Sequence, residues 1–381
     1  MASVGRKTDQ AGKGECMNLD FNADRWAQCR EAHRRWWDGN LGRPLLNLSV
    51  VGRDPGRPHP NIPRHAFHSF YAPDITPAQI ADALAWRIES CYYLGDGFPH
   101  VWINFGPGVI AAFLGLDLVN GENTVWFHAR DRRPIRDIDF HFDPQNPTFL
   151  RVCAIARACV ERFEGQAQIG MTDLGGNLDI LSSFRPGEGL LLDLYDEPEE
   201  VKRLTDRAHD MWWRYFEEIN AILRPANPGY TSWTPLFSET PSYMLQCDFS
   251  YMIGPAMFRE FVRPELQRTC ERLDHAFYHL DGPGQLPHLD DLLSINALRG
   301  VQWVPGAGQP PISAWPEVYR KIVNSGKRAQ FYAQQDPLGI AALDALAERA
   351  ERPEYFCLIG GDLPAAQHEQ ARTAVERWVK R

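Results

Sequence analysis

No stretch of this 381-residue chain is apolar for long enough to cross a bilayer, which excludes a helical membrane span. It also has no block of Lys or Arg: 40 basic residues stand against 49 acidic ones, a formal charge of −9. That balance excludes the basic footprint of a nucleic-acid or anionic-membrane binder and leaves a small molecule as the expected ligand. The eight cysteines, at 16, 29, 91, 153, 159, 247, 270 and 357, show no CxxC spacing, and the N-terminus lacks the apolar core of a secretory signal. Reduced thiols and a cytoplasmic protein are therefore expected. Internal repeats, low-complexity tracts and Pro/Gly/Ser-rich linkers are absent as well, so one domain is expected despite the length. Residues 1–16, "MASVGRKTDQAGKGEC", are polar without periodicity and read as a disordered leader before a single domain over 17–381.

With 44% hydrophobic residues the chain can bury a large core. Eight runs of strand length alternate with longer amphipathic stretches: 44–51, 99–105, 167–172, 229–233, 275–280, 300–304, 328–333 and 355–360. Alternation of this kind marks βα units, and eight of them predict an α/β fold closed as a (β/α)8 TIM barrel with an N-terminal helical extension. Over 74–95 the spacing predicts a helix with Thr76 as cap, Pro77 at N1, Gln79 completing a capping box and Gly95 as its left-handed stop. "DEPEEVKRLTDRAHDMWWRYFEEINAIL" predicts a long amphipathic helix with Val201, Leu204, Ala208, Trp212 and Phe216 on one face. A helix broken before Pro264 and a closing helix after Leu363 complete the pattern.

In a barrel of this type chemistry sits at the C-terminal ends of the strands. That places Asn104, Asp173, Trp233, His279, Asp281 and Trp303 at one mouth. In "FYHLDGPGQLPHLDD" (277–291), His279 and Asp281 are two apart on a strand and so share a face, after which Gly-Pro-Gly turns the chain away. Such a pair can share a ligand or pass a proton; it can equally do no more than bond to neighbouring loops. Trp233, Trp303, Phe105 and Tyr278 are candidates for an aromatic wall, although aromatic residues in a barrel are more often core. Cys247 and Cys357 are the thiols that the helices do not absorb.

Several segments together resemble the uroporphyrinogen decarboxylase superfamily, whose members include zinc-dependent methyltransferases acting on corrinoid-bound or thiol-borne methyl groups. The resembling segments are "FGPGVIAAFLG" (105–115), "GEGLLLDLYDEPEEVKRL" (187–204), "DFSYMIGPAMFREFVRPEL" (248–266) and "YHLDG" (278–282). Decarboxylases of the family carry an arginine-rich segment after their first strand. Here that region reads "NLSVVGRDPGRP", leaving Arg53 and Arg57 as the basic candidates. Methyltransferases of the family hold zinc with a His-x-Cys pair and a later Cys. His279 matches the histidine and Asp281 stands where the cysteine would be. The resemblance implies a zinc site drawn from His279, Asp281, Cys247 and Cys357; the substrate candidates are Asn104, Trp233, Tyr278 and Trp303, from their place at the mouth, and Glu239. It also implies methyl transfer between a small methylated substrate and a thiol or a separate corrinoid protein. The alternatives are a metal-independent decarboxylase or lyase, in which His279 and Asp281 work as an acid/base pair assisted by Glu239, and a catalytically silent ligand-binding barrel.

Overall fold

The computed structural model describes residues 17–380, so the expected leader at 1–16 lies outside the described residues. Eleven strands form in chain order: β1 (Leu45–Val51), β2 (Cys91–Gly95), β3 (His100–Trp102), β4 (Asp117–Asn120), β5 (Val125–His128), β6 (Gln168–Gly170), β7 (Ser242–Gln246), β8 (His275–Asp281), β9 (Leu298–Val304), β10 (Arg328–Tyr332) and β11 (Phe356–Leu363). Seven of them make the central sheet in the order β2-β1-β11-β10-β9-β8-β7. All its pairings are parallel except that of β2 with β1. β3 and β6 form a separate parallel pair, and β4 and β5 a hairpin.

The expected closed ring is therefore corrected: among the described residues the strand pairings do not close. Two local causes account for this. β2 occupies the outer edge of β1, with Asn47 opposite Gly95 and Val51 opposite Cys91, so no parallel neighbour can pair there. The expected fourth strand, 229–233, forms no ladder: it makes an antiparallel bridge from Tyr230 to Ser238 and accepts one backbone bond, from Met171 N to Thr231 O at 2.9 Å, while the place beside β8 goes to β7. β2 also corrects the expected helix over 74–95. That helix, α2, spans Pro77–Glu89 with the Thr76/Gln79 capping box formed, but it ends six residues before Gly95. The following "CYYLG" is rich in aromatics, which suit a pleated surface, and it pairs along β1.

Alternation along the parallel strands separates two layers. Leu46, Leu48, Ala276, Tyr278, Leu280, Val301, Trp303, Phe331 and Leu358 face the helices in the main core. Leu45, Met244, Phe277, Cys357 and Ile359 face inward, where they meet Trp36 and Trp37 of the N-terminal helix α1 (Ala23–Asp38). Both indoles are 1% exposed, and their Nε1 groups donate to Phe356 O at 3.1 Å and Phe237 O at 2.8 Å. The last carbonyls of α1 are satisfied by the buried Arg328 guanidinium, which donates to Trp36 O and Trp37 O at 2.9 Å each. A cation at a helix C-terminus meets the negative end of its dipole, so α1 is fastened where the strands begin.

The long helix Pro198–Leu223 buries the expected face, Val201, Leu204, Ala208, Trp212 and Phe216. The break before Pro264 is a π turn, Phe258–Val262, which accommodates the missing proline N–H. No helix among the described residues is long and apolar enough to cross a membrane.

Candidate metal centre

β8 reads His275, Phe277, His279, Asp281 on its inward face and Ala276, Tyr278, Leu280 on the other. His275, at the N-terminal end, stacks on Trp37 with ring centroids 4.2 Å apart and bonds to Ser238 Oγ at 2.8 Å. The other end is open: the side chains of His279 and Asp281 are 15% and 42% exposed. The turn after them depends on glycine. Gly282 has φ +79°, and a Cβ on Gly284 would lie 2.6 Å from the Tyr251 ring, so only glycine lets that loop pack here.

Opposite His279 in register stands Gln302 of β9, fully buried, and its Oε1 accepts a hydrogen bond from His279 Nδ1. With an amide oxygen facing Nδ1, the ring proton is held there and Nε2 presents its lone pair. Asp281 Oδ2 lies 3.9 Å from that Nε2. A third group comes from the turn that follows β7. Asp248, His279 and Asp281 each offer a ligand atom, and these atoms lie within 4.8 Å of one another. Two donors bound to one zinc at ~2.2 Å are at most ~4.4 Å apart, so a small movement of the partly exposed Asp281 closes the set.

Asp248 is held by Asp179, on the helix Asn177–Phe184. The carboxylate of Asp179 accepts from Asp248 N at 3.1 Å and Phe249 N at 2.7 Å, tying down the turn Asp248–Met252. Burial, then the neighbouring charge of Asp248, pushes the Asp179 carboxyl up to about 7. Asp248 is exposed at the rim of the site, and its carboxyl is likewise pushed up to about 7, by local desolvation and then by the neighbouring charges of Asp281 and Asp173. Asp173 is raised to about 6 by burial, against hydrogen bonds from Gly175 N at 2.9 Å and Gly108 N at 3.4 Å. Carboxylates that raise one another's affinity for protons are held together most cheaply by a cation. The donor set, two carboxylate oxygens and one imidazole nitrogen, fits zinc and other divalent ions.

The remaining sequence candidates lie apart from this group. Cys247 is 2% exposed and packs in the helix-facing core, and Cys357 is fully buried in the inner core near the start of β11. Burial raises both thiols well above their usual range, and neither sulfur belongs to the converging group. Tyr278 and Trp303 are 1% and 0% exposed in the helix-facing layer, where Trp303 packs edge-on against Trp315. They do not form a wall of the mouth. Glu239 precedes β7, at the opposite end of the strands from Asp281, and pairs with Arg30 of α1 at 2.7 Å. Trp233 does reach the site, edge-on to His279 at 5.2 Å between ring centroids. It also lines a cavity of about 380 Å³ at the same end of the sheet. Asn104 lines a second cavity of about 590 Å³, where its amide latches the preceding loop through Ala66 O at 2.8 Å. Sequence reasoning missed Asp248, Asp179 and Gln302. A glutamine in the middle of "GVQWV" was the available signal, since a buried amide in a parallel strand needs a partner.

No protein-family model and no curated protein sequence matches the chain. Among solved structures, the fold is similar to that of a methyltransferase from Methanosarcina mazei, with a TM-score of 0.55 and 13% sequence identity. The superposition covers 92% of this chain and 97% of that one, so the likeness extends over the whole architecture. At that identity it is a likeness of fold.

Proposed function

We propose that this chain is a zinc-dependent methyltransferase of the uroporphyrinogen decarboxylase superfamily. It would move a methyl group between a small methylated substrate and a thiol or a separate corrinoid protein. The observation that carries this reading is the convergence of Asp248, His279 and Asp281 on one point. The fold likeness to a methyltransferase supports it. A divalent ion held there would stabilise a substrate thiolate at neutral pH or polarise a bound oxygen. The protein's own part is positional. Gln302 keeps the His279 ring in one tautomer, Asp179 fixes the turn bearing Asp248, and Trp233 closes one side against water.

Two observations weigh against the decarboxylase reading. His279 Nε2 and Asp281 are 3.9 Å apart and make no hydrogen bond in this arrangement, and the ring's other nitrogen is committed to Gln302, not to the carboxylate that would orient an acid/base dyad. The basic candidates after β1 are also engaged. Arg53 donates to Asn18 O at 2.8 Å and Glu89 O at 2.7 Å, while Arg57 pairs with Glu89 at 2.6 Å and Asp82 at 3.1 Å.

The test is transfer itself. Zinc-loaded protein is incubated with methylcobalamin and a panel of thiols, and methyl thioether is followed by mass spectrometry. Turnover that disappears on chelation and in Asp281→Ala supports the reading. Equal turnover after chelation, or none with any acceptor at full metal loading, overturns it.

A further inference from the structure

The hydrogen bond between His279 and Gln302 does not by itself decide which ring nitrogen carries the proton. As the fold stands, Gln302 Oε1 accepts from Nδ1–H. Turned end for end, the same amide would donate Nε2–H to an unprotonated Nδ1, and the ring proton would sit on Nε2, where a metal has to bind. Something beyond Gln302 must hold its amide one way round.

The register of the sheet places the next groups. His279, Gln302 and Gln330 are Cα partners across β8, β9 and β10, so their side chains share the inward face. Both glutamines are fully buried. Gln330 Nε2 donates to the Thr234 hydroxyl at 2.9 Å. That leaves one donor and one acceptor, Gln302 Nε2 and Gln330 Oε1, buried without a hydrogen bond of good geometry. Such leftovers are costly, and natural structures keep few of them. Tyr332 follows Gln330 by two residues on the same face, and its hydroxyl comes within reach of the side chains of Thr234, Gln302 and Gln330. A hydroxyl has one proton to give and lone pairs to receive with, so this one group can serve both leftovers. The direction is then fixed. With Gln330 Nε2 spent on Thr234, the phenol donates to Gln330 Oε1 and accepts from Gln302 Nε2, which turns Gln302 Oε1 toward His279.

We propose that Tyr332 is a positioning residue of the metal centre: its hydroxyl orients the Gln302 amide, and through that amide it keeps the His279 proton on Nδ1 and the Nε2 lone pair free for the metal. The donors run in one sense from the ring to the threonine: His279 Nδ1–H, Gln302 Nε2–H, Tyr332 O–H and Gln330 Nε2–H. Hydrogen bonds aligned in this way polarise and strengthen one another. The inference rests on the metal centre of the methyl-transfer reading and extends it to a residue that also lines the 380 Å³ cavity beside Trp233.

The test is Tyr332→Phe, which removes one oxygen and keeps the ring. It is made in the full-length parent and in Gln302→Leu. Zinc affinity is read by competition against a chromophoric chelator, the ligand field by the visible spectrum of the cobalt-substituted protein, and folding by a urea curve on each metal-free variant. In the parent, Tyr332→Phe is expected to weaken zinc by about 10-fold and to shift the cobalt spectrum. In Gln302→Leu the same change is expected to alter affinity by less than about twofold, because the group it acts through is gone. A lowered urea midpoint with parental zinc affinity and spectrum would mean a merely structural role and overturns the inference. Equal losses in the two backgrounds also overturn it, since the hydroxyl would then act by a route other than Gln302. Metal affinity is read without turnover, so the two proposals fail separately. Zinc weakened by Tyr332→Phe in a protein that transfers no methyl group at full loading would sink the methyl-transfer reading alone. Methyl transfer by a protein whose zinc affinity ignores Tyr332 would sink this inference alone.

Discussion

Replacing Gln302 with leucine removes one hydrogen bond from the candidate metal centre and leaves every metal donor in place. Gln302 is fully buried on β9, and its Oε1 accepts from His279 Nδ1. Leucine is close in size, so the strand keeps its packing, but Nδ1–H loses its acceptor in a site where water cannot easily replace it. An unsatisfied buried donor costs ~1–3 kcal/mol. The ring can recover part of that by moving its proton to Nε2 or by rotating, and either change takes the lone pair away from the metal. Loss of an outer-shell partner of this kind lowers metal affinity by about 10- to 100-fold, or ~1.4–2.7 kcal/mol, which matches the hydrogen-bond estimate. The assay is zinc competition against a chromophoric chelator, with a urea unfolding curve on the metal-free protein to show that the variant is folded. Gln302→Glu, which restores an acceptor, should recover most of the affinity. A folded Gln302→Leu protein with parental zinc affinity would refute the assignment of Nε2 as a metal donor.

Asp173 gives a pH signature. Burial raises its folded pKa to about 6 from an ordinary 3.8. Between about pH 4 and 6 the unfolded chain has released this proton while the folded chain keeps it, so stability falls as pH rises across that window and levels off above it. Asp173→Asn retains an acceptor for Gly175 N and Gly108 N. It should flatten that slope and raise metal-free stability at pH 7 by up to roughly 3 kcal/mol, checked by urea midpoints at pH 4.5 and 7. An unchanged slope contradicts the burial argument. Trp36→Ala empties the contact between α1 and the inner layer and removes the bond to Phe356 O. It should cost ~3–5 kcal/mol by urea denaturation, and a loss below about 1 kcal/mol would mean that α1 does not close the base of the sheet.

Much of the architecture was legible because it is written locally. The Thr76 capping box, the apolar stripe of Pro198–Leu223 and the break before Pro264 each depend on neighbours in sequence, and each forms. The shared direction of His279 and Asp281 follows from the two-residue period of a strand, and that pair was found for this reason. What was not legible depends on pairing across space. "CYYLG" continues the apolar spacing of α2, and nothing within it announces that β1 waits on its flank. "GYTSW" and "SYMLQ" are two short runs close together, and only the contact with β8 selects the second as the strand. Choosing the first hid the turn that carries Asp248, so cysteines were expected beside His279 and Asp281, where the fold places a carboxylate. Asp179 could not be found from its neighbours, because its role is to hold a turn some 70 residues away. The likeness to a methyltransferase fold was legible only through a few short segments, and at 13% identity the rest of the two chains gives no sign of it.

The central claim is that Asp248, His279 and Asp281 form one metal site in which no thiol takes part. It is tested most directly by elemental analysis of zinc in the parent protein and in five single variants: Asp248→Ala, His279→Ala, Asp281→Ala, Cys247→Ser and Cys357→Ser. The account predicts one equivalent in the parent and in both cysteine variants, and loss in the other three. Zinc lost with either cysteine, or kept without Asp248, would contradict it.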